Sequence, residues 1–101
     1  MRVIALKALR DFCVRHPSAK SHVEAWIDEA RRAEWKQPAD IKTQFRSASI
    51  LKNRRVVFNI SGNRYRLVVA VAYRYGAAYI KFVGAHAEYD TINAESIEPE
   101  L

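Results

Sequence analysis

Residues 55–75 read Arg55-Val56-Val57-Phe58-Asn59-Ile60-Ser61-Gly62-Asn63-Arg64-Tyr65-Arg66-Leu67-Val68-Val69-Ala70-Val71-Ala72-Tyr73-Arg74-Tyr75. Two runs rich in β-branched and aromatic residues flank Ser61-Gly62-Asn63, whose residue types suit a tight hairpin turn. The spacing predicts a strand over 55–60 and a second over 64–75. Gly76 marks another turn and residues 78–83 give a third strand. Strands joined by short turns are antiparallel. Successive side chains of a strand point to opposite faces. Val56, Phe58 and Ile60, with Tyr65, Leu67, Val69, Val71 and Tyr73, form the apolar face and belong to the core. Arg55, Val57 and Asn59, with Arg64, Arg66, Val68, Ala70, Ala72 and Arg74, form the other. That second face combines small residues with arginines at one end, so it reads as shallow and positive.

Upstream the period changes. Val3 and Ile4 make a short β-prone opening, and Leu6, Leu9, Phe12 and Cys13 then recur at helical spacing. His16-Pro17 ends that helix, because the residue before proline disfavours α geometry. Ser21-His22-Val23-Glu24 has capping-box spacing, and Val23, Trp26, Ile27 and Ala30 supply the stripe of a second helix reaching about Ala33. Residues 35–49 read as irregular, with a short turn at Pro38 and Asp40 packing Ile41 and Phe45. The expected architecture is one α+β domain over 1–101. Its order is β-α-α-β-β-β(-α), with a helical hairpin packed on a small, mainly antiparallel sheet. The acidic tail, residues 91–101, is expected to fray.

Charge narrows the partners. Residues 41–87 hold nine Lys or Arg and no Asp or Glu. All 17 basic residues lie within the first 87 positions beside six of the acids; residues 88–101 hold five acids and no base. The net charge is +6 and the pI about 9.8. Such an excess favours polyanions through steering and counterion release, although solubility alone would also account for it. One cysteine, Cys13, allows no intrachain disulfide and fits a reducing compartment. The opening residues have no long apolar leader core, and no run approaches the roughly 20 apolar residues of a membrane span. The expected location is the cytoplasm, without membrane contact.

Few residues could carry chemistry. Arg64 and Arg66 stand two apart on a strand and share a side, where an Arg fork matches a phosphate. The bland alternative is a solvated strand face, and Tyr65 between them belongs to the core. His86 leaves the last strand after Gly84-Ala85, whose small side chains leave room for a ligand. His is the usual acid or base near neutral pH, yet a lone His is more often structural. Tyr89 falls on the same side of a helical turn and suits stacking on a base or, equally, anchoring to the core. Asp90 reads as a cap or an Arg partner, and Glu88 as a carboxylate for one of the arginines. His16, His22 and His86 have no metal-ligand spacing, and the chain has no Gly-rich phosphate loop. No cofactor is expected.

Residues 56–67, followed by Phe82-Val83-Gly84-Ala85-His86-Ala87-Glu88-Tyr89-Asp90, resemble HigB-type toxins of bacterial toxin–antitoxin pairs. The resemblance extends to Lys7-Ala8-Leu9-Arg10-Asp11-Phe12, to residues 35–42 and to Leu51-Lys52-Asn53-Arg54, and so covers nearly the whole chain. It implies a RelE/ParE-like fold and a ribosome-dependent mRNA endonuclease that needs no metal. In such enzymes a ribose 2′-hydroxyl attacks the adjacent phosphate and leaves a cyclic phosphate and a 5′-hydroxyl. Carried over, the resemblance implies Arg66 as the arginine that stabilises the pentavalent phosphate. It puts His86 in the place of a basic residue and Tyr89 near the tyrosine that orients the scissile nucleotide. RNA contacts would come from Lys52, Arg54, Arg55, Asn59 and Arg64. Several RelE relatives place lysines on the first hairpin strand, one of them the general base. This chain offers Arg55, Val57 and Asn59 there, so the proton transfer falls to His86, as base or as acid.

Implied partners are the ribosome with its mRNA and a cognate antitoxin of helix-turn-helix HigA type. Operator DNA would be contacted only through that antitoxin. Two other readings stay open: a ParE-like poison of DNA gyrase with the same fold, and a non-catalytic RNA-binding module. The second would be short of stacking aromatics, because most Tyr and Phe alternate into the core.

Overall fold

The structure, a computed structural model, describes residues 1–99. β1 (Arg2–Ile4) leads to α1 (Leu6–Arg15), a single 3-10 turn at Pro17–Ala19, α2 (Lys20–Arg32) and α3 (Pro38–Gln44). β2 (Ser49–Ile50), β3 (Arg55–Ile60), β4 (Tyr65–Ala72) and β5 (Ala77–Ala85) come next, and the short α4 (His86–Tyr89) is last. The sheet order is β1-β5-β4-β3-β2, with β1 parallel to β5 and every other pair antiparallel. The long helical connection lets β1 lie parallel beside the last strand. The expected α+β, mainly antiparallel architecture is therefore observed, with α3 and β2 added. Among the described residues no helix is long and apolar enough to cross a membrane.

Local chemistry explains the boundaries and the departures. His16 sits at φ −131° and ψ 73° and ends α1 ahead of Pro17. The Ser21–Glu24 capping box does not form, because Pro17 opens a 3-10 turn that runs directly into α2 at Lys20. Residues 38–44 are a helix, not merely a turn. Pro38 occupies its first position, where a missing N–H costs nothing, and Asp40 accepts the Lys36 and Gln37 N–H groups. β2 joins β3 through a two-residue turn at Asn53-Arg54, both left-handed at φ 59° and 57°. Arg seldom adopts that conformation, so the turn has no sequence signature. Phe82 lies opposite Val68 while Ile80 lies opposite Val69, which makes Lys81 the extra residue of a bulge. β4 stops at Ala72, and Tyr73–Tyr75 coil into a 3-10 turn before Gly76 at φ 62°.

The inner face of the sheet packs on α1, α2 and α3. Val56, Phe58 and Ile60 join Leu67, Val69 and Val71 there, as alternation predicts. Phe58 is the centre: its ring lies 5.2 Å from Trp26, 6.0 Å from Trp35 and 5.0 Å from Phe45. Tyr65 is buried against Phe12 and His16.

The outer face is less open than expected. α4 and the segment after it fold back, so that Val57, Val68 and Ala94 are buried together under Leu51, Phe82, Tyr89, Ile92 and Ile97. Residues 91–99 are thus packed rather than frayed; 100 and 101 lie outside the described residues. Ile92, Ala94 and Ile97 supply the apolar surface that docks on this strip. A turn in which Asn93 O accepts the Ser96 and Ile97 N–H groups satisfies the backbone. Phe58→Ala should cost about 3–5 kcal/mol by cavity formation. Val14→Ala, at a site 79% exposed, should change stability by less than about 0.5 kcal/mol. Urea unfolding of the two variants beside the parent checks both figures; a loss under about 1 kcal/mol for Phe58→Ala would remove it from the centre of the core.

Candidate nucleic-acid interface

The outer face has two polar ends separated by the apolar strip. At one end Asn59, Arg66 and Gly84 stand in a cross-strand row. Arg66 is half-buried, and its Nη1 donates to Asn63 O (3.1 Å) and Tyr65 O (3.4 Å). These bonds aim the guanidinium, and its remaining nitrogens have no partner among the described residues. Arg64 is exposed and lies over the Tyr65 ring at 5.6 Å. Asn59 Nδ2 donates to Ser47 O at 3.4 Å.

His86 joins this end because its backbone N–H donates to Arg64 O (3.3 Å), tying the start of α4 to the β3–β4 hairpin. Its Nδ1 lies 3.2 Å from Asp90 Oδ2, one turn on. With the carboxylate accepting, Nδ1 carries the proton and Nε2 keeps a free lone pair. Both side chains are more than half exposed, so the pair adds less than about 1 kcal/mol of stability. What it supplies is orientation. Asp90 is the C-cap of α4, as expected, with its N–H donating to the His86 carbonyl at 3.0 Å, and it partners no arginine among the described residues; the i, i+4 spacing was the signal for its side-chain contact with His86. Glu88 holds no arginine either, and its carboxylate accepts the Ala85 N–H at 3.2 Å. Tyr89 is half-buried against the Val57–Val68 strip, where its side chain anchors α4 to the sheet.

Lys52, Arg54 and Arg55 are not brought beside Arg66. Val71 N–H donates to Arg54 O (2.9 Å), which puts Arg54 five residues along β4 from Arg66, about 16 Å at 3.3 Å per residue. Lys52 and Arg54 are exposed there, but Arg55, expected on an open face, is only 6% exposed. Its Nη1 donates to Ile97 O and its Nη2 to Glu98 Oε1, both at 2.6 Å. The folded tail is the physical reason, since it brings a carboxylate onto a guanidinium that β3 holds in place. Lys81, displaced by the bulge, donates to Glu98 Oε2 at 2.7 Å. Nothing in the sequence signalled Lys81, because a bulge decides which way it points. Glu95 accepts the Lys52 N–H (3.0 Å), and its carbonyl accepts from Asn53 Nδ2 (3.1 Å). An open hollow of about 750 Å³ lies between Arg54, Ala70, Ala72, Tyr79, Lys81 and the tail. Among the described residues no group of three or more His, Cys, Asp or Glu is placed to hold a metal ion.

Gly84 does not leave space for a ligand, as its small size suggested. A Cβ there would lie 2.8 Å from Phe82 Cζ and 3.3 Å from the Glu88 carboxylate. The room belongs to this chain's own Phe82 and to the cap of α4. Gly84→Ala should therefore destabilise the fold by about 1–3 kcal/mol through overpacking and should disturb His86 and Asp90. A thermal melt, with chemical shifts of the His86 ring, checks this; unchanged values would show that Phe82 gives way freely.

The profile of the HigB toxin family, described as the RelE-like toxic component of a toxin–antitoxin system, matches residues 19–92. The mRNA interferase toxin HigB of Escherichia coli is 32% identical over 96 residues, spanning 93% of this chain and 92% of that protein. The mRNA interferase HigB of Shigella flexneri is 32% identical over the same length, with the same coverage. The α+β architecture, with its helical layer and mainly antiparallel sheet, accords with a RelE-like fold. The chain belongs to the HigB toxin family, the RelE-like toxic components of toxin–antitoxin systems.

Proposed function

We propose that this chain is an mRNA interferase that cuts translated transcripts on the ribosome. The observation that carries it is the end of the sheet where Arg66, aimed by hairpin carbonyls, stands by His86 with its Asp90. In the proposed reaction a ribose 2′-oxygen bonds to the adjacent phosphorus while the bond to the next nucleotide's 5′-oxygen breaks. The products are a 2′,3′-cyclic phosphate and a 5′-hydroxyl. One proton leaves the 2′-hydroxyl and one reaches the 5′-oxygen. His86 Nε2 takes the first as base or, once protonated, gives the second as acid. Arg66 faces the phosphate oxygens as charge builds on them, with Arg64 and Asn59 holding the flanking backbone. Tyr89 acts indirectly by seating α4.

One His and one Arg are a sparse set for this reaction. The ribosome would supply what is missing by holding the RNA in line for attack. Membership of the family implies a cognate antitoxin. We take it to be a helix-turn-helix protein of the HigA type, which alone would contact operator DNA. The site of action is the cytoplasm, where translating ribosomes are.

Brief induction of this chain in cells, followed by 5′-end mapping of mRNA, tests the proposal. Cuts are expected inside translated frames. Arg66→Ala and His86→Ala should each reduce them by about 10²-fold or more. Asp90→Asn, which keeps the side-chain size but not the carboxylate, should reduce them less than either. Intact transcripts beside arrested growth would overturn the nuclease and favour a gyrase poison, recognisable by DNA damage.

A further inference from the structure

We propose that Arg55 and Lys81 form a second phosphate subsite on the outer face, held in the resting chain by the Glu98 carboxylate, which RNA displaces. The inference rests on the chain acting on RNA. It adds where the strand runs beyond Arg66 and what competes for that path.

Three observations carry it. First, one carboxylate bridges two cations: Glu98 Oε1 meets Arg55 Nη2 at 2.6 Å and Oε2 meets Lys81 Nζ at 2.7 Å. A phosphodiester also offers two oxygens to such a pair, and an Arg fork binds either anion. Second, Arg55 cannot be left alone. Its side chain is only 8% exposed, and its hydrogen-bond partners among the described residues are Ile97 and Glu98. A buried charge without a partner is strongly unfavourable, so withdrawal of the tail demands another anion at that place. Third, the site has room and an approach. Ala70 and Ala72 lie along the hollow, exposed Arg54 stands at its rim, and the whole lies on the face that carries Arg66.

The tail is built to yield at its end. Ile92, Ala94 and Ile97 are packed on the strip, whereas the Glu98 side chain is 57% exposed. The hydrogen bond from Lys81, and after it the one from Arg55, holds the Glu98 carboxyl below the ordinary carboxylate range. Movement of residues 98 and 99 alone would uncover Lys81 and one edge of Arg55.

Fluorescence anisotropy with a short labelled single-stranded RNA, its riboses 2′-O-methylated so that it cannot be cut, tests this on the full chain. Glu29→Gln, at an exposed position on α2, controls for net charge. Glu98→Gln should tighten binding about two- to fivefold beyond that control, the fold-change equivalent to losing one exposed ion pair. Lys81→Ala should weaken binding, and in its background the gain from Glu98→Gln should vanish. A cooperative urea transition, even at a lowered midpoint for Glu98→Gln, will show that each variant is folded. A gain equal to that of Glu29→Gln, or one that survives Lys81→Ala, would overturn the subsite and leave the tail a structural strap. The nuclease reading fails separately, in the transcript map: a Lys81-dependent gain without any cut transcripts keeps the subsite and removes the nuclease. Absence of RNA binding by every variant at low salt overturns the subsite, even where cuts dependent on Arg66 persist.

Discussion

The register of the β3–β4 hairpin decides the rest of the molecule. Asn59 pairs with Arg66 and Ile60 with Tyr65, across a turn whose Ser61 and Gly62 are both left-handed. A slip of one residue would send Arg66 towards the helices and Leu67 to the outside, because a strand's side chains alternate with period two. The aromatic centre resists such a slip. Phe58 is held by Trp26, Trp35 and Phe45, so helix packing and the placement of the outer-face arginines are set by one constraint. Core and site are two faces of the same strands.

Much of this was legible in the sequence. The period-two pattern of residues 55–72 sorted inner from outer side chains, and Ser61-Gly62-Asn63 located the turn. His86–Tyr89 formed the helical turn that its spacing suggested. The failures share a cause. α3 depends on a carboxylate folding back to its own first turn, and the β2–β3 turn on an Arg in a conformation that Arg seldom adopts. The packed tail depends on long-range burial: its acidic composition suggested fraying, while Ile92, Ala94 and Ile97 needed only an uncovered strip of sheet to dock on. Single-chain periodicity sees the donor of such a contact but not its acceptor.

The same limit explains the site. Alternation placed Arg55 and Arg66 on one face, which is correct, but it could not tell which of them the rest of the chain would cover. Arg55 stands at the end where the tail arrives and is covered. Arg66 stands at the other end, where its hydrogen-bond partners among the described residues are backbone carbonyls. Gly84, opposite Arg66, seemed to offer space, but a neighbouring ring and a helix cap had already filled it.

The distribution of carboxylates on the outer face then has a functional logic. Residues 41–87 contain no acid, so the negative charges on this face come from the segment C-terminal to β5. Asp90 goes to the Nδ1 of His86, and no carboxylate among the described residues pairs with Arg64 or Arg66. Glu95 and Glu98 go to the opposite end, where they hold a backbone N–H, a buried guanidinium and an ammonium. If the acids were spread evenly along the face, Arg64 and Arg66 would be neutralised, and Arg55 would lack the anion that its burial requires. Concentrating them at one end keeps the Arg66 end positive while the fold remains electrostatically satisfied. The short acidic segment C-terminal to the last strand therefore sets both the stability of the outer face and which of its cations remain free.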